Sequence, residues 1–300
     1  MKTFKYDRAI NYSGYRENQS PLTEAYPSKD EILEDLRILE NDYFYLRLYD
    51  CSPHAYRVLE VIRENNLNFN IMMGLFLRAE VNHVDHPFFW TYPDEVLQQH
   101  RLQNTTLVQE IISLTNQYED LISAVSIGNE TRSMWNNNRI SEQRLVEVAK
   151  EIKAKTNTPV TFCEEYQHWV EGLEELADTV DFISLHTYPV WQGEPIENAL
   201  NTAIKNYNEV QSKYPDKYCI ITETGWPTKS HGSRIKIEDA TITNQEQYNQ
   251  EITAWGQQND VLIYLFEAFD EPWKGRQHPD EPEKHWGIYN VHREKKVQNK

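Results

Sequence analysis

Short apolar runs recur along the chain, with polar, helix-like segments between them. The runs are AINYS, YFYLRLYD, FNIMMGLFL, LISAVSIGNE, PVTFCEE, DFISLHTYP, YCIITETGW and VLIYLFEAFD, eight in all. Each has the length and apolar character of a buried strand. The intervening segments carry apolar residues at helical spacing, which predicts helices over 28–40, 54–65, 95–118, 141–155, 168–177, 196–213 and 244–258, with Ser28 and Ser141 as N-caps. Strand and helix alternate throughout, so the strands should be parallel, and eight of them close into a barrel more readily than they spread as an open sheet. The pattern predicts an α/β chain, a (β/α)8 TIM barrel forming a single domain over residues 1–300. No linker, low-complexity tract or repeat divides it.

A period of two within the runs assigns faces. In the fourth run, if Glu130 points into the barrel, so do Gly128, Ser126 and Ala124, while Val125 and Ile127 face the helices. In the sixth the inward set is Ser184, His186 and Tyr188, and in the second it is Arg47 and Tyr49. Polar groups therefore gather inside the barrel, towards one end. In this fold the C-terminal strand ends carry the active site. The candidates there are Tyr12, Arg47 to Asp50, Arg78, Glu80, Asn129, Glu130, Glu165, His186, Tyr188, Glu223, Trp226 and the stretch from Asp270 to Lys274.

Glu130 and Glu223 stand out among them because they end the fourth and seventh strands and would face each other across the barrel mouth. Two opposed carboxylates are what glycosidic cleavage requires: one protonates the leaving oxygen, the other attacks the anomeric carbon or activates water. Asn129 is placed to donate to a sugar 2-hydroxyl. The plain alternative for each Glu is an ion-paired structural carboxylate. The chemistry also needs Glu130 protonated while Glu223 is ionised, a difference that Arg47, His186 or a tyrosine hydroxyl could supply.

Composition narrows the partners. With 47 acidic and 30 basic residues the formal charge is −17, which repels nucleic acid and anionic lipid, so a neutral substrate is expected. No apolar run approaches bilayer-spanning length, so membrane insertion is not expected. Aromatic residues, 8 Trp and 18 Tyr among them, suit sugar stacking but also core packing. Cys51, Cys163 and Cys219 are odd in number and sit in apolar runs, which reads as buried free thiols. The N-terminal MKTFKYDRAI lacks a secretory signal, so the expectation is a cytoplasmic protein or one exported with its signal already removed, and a monomer.

Several stretches together carry a resemblance: INYSGYRENQSP, YPSKDEILEDL leading into FYLRLYDC, SIGNE, VDFISLHTYP, ITETGWPT, and FEAFDEPWK followed by HWGIYN. With these the chain resembles glycoside hydrolase family 17, the β-1,3-glucanases of the (β/α)8 clan, nearly end to end. The resemblance implies a retaining β-1,3-glucanase acting on laminarin or its oligosaccharides, with Glu130 as proton donor and Glu223 as nucleophile. It implies a supporting or subsite role for Glu271 and Lys274, and cleft-lining roles for Tyr12, Tyr188 and Trp226. Further substrate contacts are expected from Arg47, Asp50, Asn129, Glu165 and His186. At Glu165 bacterial relatives often carry Asn, which alters one subsite. A glucanosyltransferase shares the first half-reaction and is the nearest alternative. A non-catalytic glucan-binding barrel is a third reading, opposed by the presence of both glutamates.

No cofactor is expected. His83 and His86 flank Asp85 but lack the flanking ligands and helical register of a zinc motif, and no metal is assigned to them. No G-x-S-x-G, activated cysteine or phosphate-binding Gly-rich loop is present. The segment from Glu80 to Pro93 should form a long loop on one cleft wall, with His231 to Lys236 opposite.

Overall fold

The computed structural model describes residues 4–83 and 91–297. Eight parallel strands form a closed barrel in sequence order: β1 (Arg8–Asn11), β2 (Tyr45–Leu48), β3 (Asn70–Gly74), β4 (Ile122–Asn129), β5 (Val160–Glu165), β6 (Ile183–His186), β7 (Cys219–Thr224) and β8 (Ile263–Leu265). β1 pairs with both β2 and β8, which shuts the barrel and leaves no edge. The helices around it are α1 (Lys29–Leu39), α2 (Pro53–Glu64), α3 (Asp94–Gln117), α4 (Glu142–Lys155), α5 (Tyr166–Gly172), α6 (Glu174–Thr179), α7 (Ile196–Lys213) and α8 (Ile242–Asn259). This is the (β/α)8 barrel that the alternation predicted.

Local chemistry sets the helix ends. Ser28 accepts from the Glu31 amide while the Glu31 side chain returns to the Ser28 amide, a capping box that starts α1. Ser141 caps α4 through the Arg144 amide. The single helix expected over 168–177 is instead α5 and α6. Gly172, the last residue of α5, has φ +153°, a path open to glycine that breaks the helical ladder.

Packing divides the barrel by depth. Its floor is an apolar plug of Phe4, Ala9, Tyr45, Met72, Ala124, Cys163, Phe182, Ile220, Leu262 and Tyr264, while a larger apolar cluster fills the space between strands and helices. The plug excludes water from below, so polar groups in the upper layers are buried among protein partners. All three cysteines are buried and free, as their apolar settings predicted.

Strand pairing departs from strict alternation where the chemistry sits. β4 slips against β5 between Ser126 and Asn129, and β7 slips against both neighbours around Thr222. Such bulges insert one residue and re-aim the side chains beyond it. Gly128 therefore faces outward, contrary to the alternation: a Cβ there would meet the Phe162 ring at 3.1 Å, on the helix side. Asn129 is rephased to point inward. Glu130 follows with φ +51°, a left-handed conformation that costs a non-glycine residue about 1 kcal/mol or more.

Candidate active site

The mouth of the barrel is organised around Arg47, which is 1% exposed. From β2 its guanidinium reaches three other strands: Nη1 donates to Asn11 Oδ1 at 3.0 Å and to Glu223 Oε1 at 2.5 Å, and Nη2 donates to Asn129 Oδ1 at 2.5 Å. Asn11 is fixed in turn by donating to the carbonyls of Thr222 and Leu265. A planar, permanently charged fork suits this role, since it holds strands β1, β4 and β7 in one geometry.

Glu223 receives two further hydrogen bonds, from Tyr49 to Oε1 at 3.2 Å and from Tyr188 to Oε2 at 2.7 Å. Across the mouth, His186 Nδ1 lies 2.7 Å from Glu130 Oε1 and 3.6 Å from Glu223 Oε2. Glu130, His186 and Glu223 are all buried, and each offers a donor atom within 4.8 Å of the others. The three could thus enclose a cation geometrically, as could Glu164, Glu165 and His168. In the first group Arg47 already supplies a positive charge in direct contact with Glu223, which disfavours a metal there.

These contacts push the two carboxyls apart. Burial raises Glu130 to about 7, with Glu223 and Glu165 adding to the rise and His186 opposing it. Burial also works to raise Glu223, but His186, Arg47 and the hydrogen bonds from Arg47 and Tyr188 outweigh it and hold the carboxyl below its ordinary range. Burial opposes the charge on His186, yet Glu223 and Glu130 prevail and lift it to about 10. Near pH 6 the site therefore holds a protonated Glu130, an ionised Glu223 and an imidazolium between them. Beneath them Cys163 is drawn down to about 7, because Arg47 and His186 overcome its burial.

A second charged group lies at the end of β8. Lys274 Nζ is 2.6 Å from both Glu267 and Glu271, and Trp273 Nε1 donates to Glu271 at 3.1 Å. Burial, with Glu271 adding to it, pushes Glu267 well above the usual carboxylate range. Burial acts on Glu271 too, but Lys274 and its hydrogen bond hold that group below it.

The structure brings together Arg47, Asn129, Glu130, His186, Tyr188 and Glu223, and sets Glu271 and Lys274 in the β8 group. Glu165 stands beside Glu130, accepting from Ser133 Oγ at 2.8 Å. Two expected cleft residues lie elsewhere. Tyr12 is 1% exposed and donates to Asp35 on α1, because the alternation in β1 turns Asn11 inward and Tyr12 out. Trp226 is fully buried, donating to the Asp239 carbonyl and packing on Tyr248 of α8. Asp50 accepts from the Ser52 amide at the entry to α2. Asn11, Glu164 and Glu267 were not singled out. Asn11 was legible from the same two-residue period, while Glu164 and Glu267 gave no signal beyond being acids at strand ends.

Residues 84–90 of the predicted cleft loop, and with them His86, lie outside the described residues. At the base of that loop, Asn82 exchanges two hydrogen bonds with the Tyr92 backbone. Opposite, His231 pairs with Glu281 at 3.2 Å. Among the described residues no helix is long and apolar enough to cross a membrane.

Relatives carry glucanase names. The chain is 27% identical over 269 residues to a glucan 1,3-beta-glucosidase of Schizosaccharomyces pombe, covering 84% of this chain and 76% of the relative. It is 28% identical to a glucan 1,3-beta-glucosidase of Arthroderma benhamiae, covering 59% of this chain and 61% of that one. A putative glucan endo-1,3-beta-glucosidase of Aspergillus niger aligns at 25% identity over 90% of this chain but only 40% of its own length. The chain thus spans under two thirds of two of these three relatives. In fold it is similar to an endo-laminarinase from Formosa, with TM-score 0.78 and 23% identity over 95% of this chain and 83% of that one. It is also similar to a family 17 β-1,3-glucanosyltransferase from Rhizomucor miehei, with TM-score 0.75 and 22% identity over 96% and 94%. Residues 9–287 match the BtgE/BtgC glycoside hydrolase domain, and the chain belongs to that family.

Proposed function

We propose that this chain hydrolyses β-1,3-glucan with retention of configuration, Glu130 serving as acid/base and Glu223 as nucleophile. The observation that carries the reading is the pairing itself: two buried carboxylates of opposite electrostatic bias, with oxygens within 4.8 Å of each other. Retaining enzymes hold the two carboxyls about 5–5.5 Å apart, whereas inverting enzymes leave roughly 6.5–9.5 Å for a water.

In the first step the ionised Glu223 attacks the anomeric carbon while Glu130 gives its proton to the departing glycosidic oxygen, leaving a glycosyl ester on Glu223. The carboxylate left on Glu130 is stabilised by the imidazolium 2.7 Å away. In the second step Glu130 takes a proton from water, the hydroxyl adds to the anomeric carbon, and the ester bond breaks to restore Glu223. Asn129 spends its side-chain oxygen on Arg47, which directs its amide NH2 as a donor. We assign that donor to the 2-hydroxyl of the reacting glucose. The names of the relatives support a β-1,3 linkage.

Glu223→Ala should abolish hydrolysis of laminari-oligosaccharides, and added azide should restore cleavage of an activated β-glucoside as the glycosyl azide of inverted configuration. Full activity in that variant would refute the nucleophile assignment. Products longer than the starting oligosaccharide would show that a sugar hydroxyl intercepts the ester in place of water.

A further inference from the structure

Cys163 lies where the apolar plug meets the charged layer above it. It is an inward member of the plug and fully buried. In the sheet it pairs with Asn129 of β4 on one side and Ser184 of β6 on the other, and its carbonyl accepts from the Glu130 amide at 2.9 Å. His186 stands two residues beyond Ser184, on the same inward face, and its ring hydrogen-bonds with the Cys163 thiol. Nδ1 of that ring is committed to Glu130 at 2.7 Å, so Nε2 is the atom left for the sulfur.

Three buried donors converge on this sulfur. Arg47 Nε, His186 Nε2 and Tyr264 Oη meet no oxygen or nitrogen acceptor among the described residues. Each belongs to a side chain that interacts with Cys163. With Ser126, these are the polar and charged groups that β2, β4, β6 and β8 turn towards it. Buried donors are as a rule satisfied, and the sulfur is the acceptor common to all three.

Charge points the same way. Arg47 and His186 are two buried cations, and Glu223 is the carboxylate ionised beside them while Glu130 holds its proton. An uncompensated buried charge is strongly unfavourable. A thiolate at Cys163 restores the balance, and the balance survives turnover, because Glu130 becomes anionic as Glu223 is esterified. Burial by itself raises a thiol, but Arg47 and His186 draw this one down to about 7. At Cys51 and Cys219 burial prevails and pushes the thiols up.

We propose that Cys163 is a positioning residue: its sulfur accepts the Nε2 proton of His186, completing a hydrogen-bonded series from Glu130 through the imidazolium to the sulfur. The series fixes the ring and keeps a proton on both nitrogens, so Nδ1–H stays on Glu130 when that group becomes a carboxylate. Cysteine suits the place, being apolar enough for the plug and ionisable beside cations. The role in turnover rests on the retaining-hydrolase reading of the site.

The contact is read by the ultraviolet absorbance of the thiolate, followed from about pH 5 to 9 in wild type and in His186→Asn. Wild type should show the step of one thiol with a midpoint near 7, and the midpoint should move upward in His186→Asn because the cation is gone. A wild type with no step below about pH 8.5, the value of an ordinary thiol, would overturn the proposal, as would a midpoint unmoved in His186→Asn. Turnover is read by kcat on laminari-oligosaccharides. Cys163→Ala should lose about tenfold in kcat with KM little changed, and Cys163→Ser, whose hydroxyl can accept from Nε2, should recover most of the loss. A packing role alone predicts Ala above Ser, since a hydroxyl suits an apolar plug less; that order, or equal activities, would overturn the proposal. A thiolate step in an inactive wild type would keep the contact and remove the hydrolase. An active wild type with no step would do the reverse.

Discussion

His186 gives the sharpest test of the electrostatics. Its imidazolium sits 2.7 Å from Glu130 and 3.6 Å from Glu223 and favours the ionised form of both. A cation at this range lowers a carboxyl by about one to three units. Replacing it in His186→Asn removes that stabilisation, so both carboxyls move upward. From about 7 in the native site, the Glu130 carboxyl should rise once the imidazolium is gone. Glu223 should rise less, because Arg47 and Tyr188 still hold it and the histidine is farther away.

In activity, the native alkaline limb falls as Glu130 loses its proton near pH 7, and the acid limb falls as Glu223 gains one below its depressed value. At pH 8 about a tenth of native Glu130 remains protonated, whereas in the variant a larger fraction should be. The assay is kcat/KM against pH on laminari-oligosaccharides, which reports groups of the free enzyme. Both limbs should shift upward, the alkaline limb further, and relative activity at pH 8 should rise even if the maximum falls. An alkaline limb that stays in place or moves down would refute the reasoning.

Glu130→Gln should lose activity on natural glucans by about 100-fold or more, but far less in forming the intermediate from an aryl substrate whose leaving group needs no proton; pre-steady-state release of the aryl alcohol measures this. Asn136→Ala removes the two hydrogen bonds that hold Glu130 in its strained conformation. It should reduce kcat by about 10- to 100-fold with little change in KM on the aryl substrate. Tyr12→Phe deletes the hydroxyl that donates to buried Asp35. Chemical denaturation should show a loss of about 1.5–3 kcal/mol, while kcat/KM stays native because the ring lies outside the cleft.

Much of this protein is fixed by local pattern. Eight apolar runs alternating with amphipathic helices leave a closed parallel barrel as the economical way to bury both faces of every strand, and Ser28 and Ser141 announce their helices by capping chemistry. The two glutamates were legible as charges ending apolar strands. Tertiary structure decided what a fixed period of two cannot carry. The bulges at Ser126–Asn129 and around Thr222 depend on how neighbouring strands pair, and they turn Gly128 outward and bring Asn129 in line. Tyr12 and Trp226 read as cleft aromatics because a strand end does not say which face a ring takes, and their partners Asp35 and Asp239 are 23 and 13 residues away. The opposed protonation of Glu130 and Glu223 was likewise beyond local pattern. It arises from burial and from Arg47, His186 and Tyr188, which two separate strand ends, those of β2 and β6, bring within hydrogen-bonding range only once the barrel has closed.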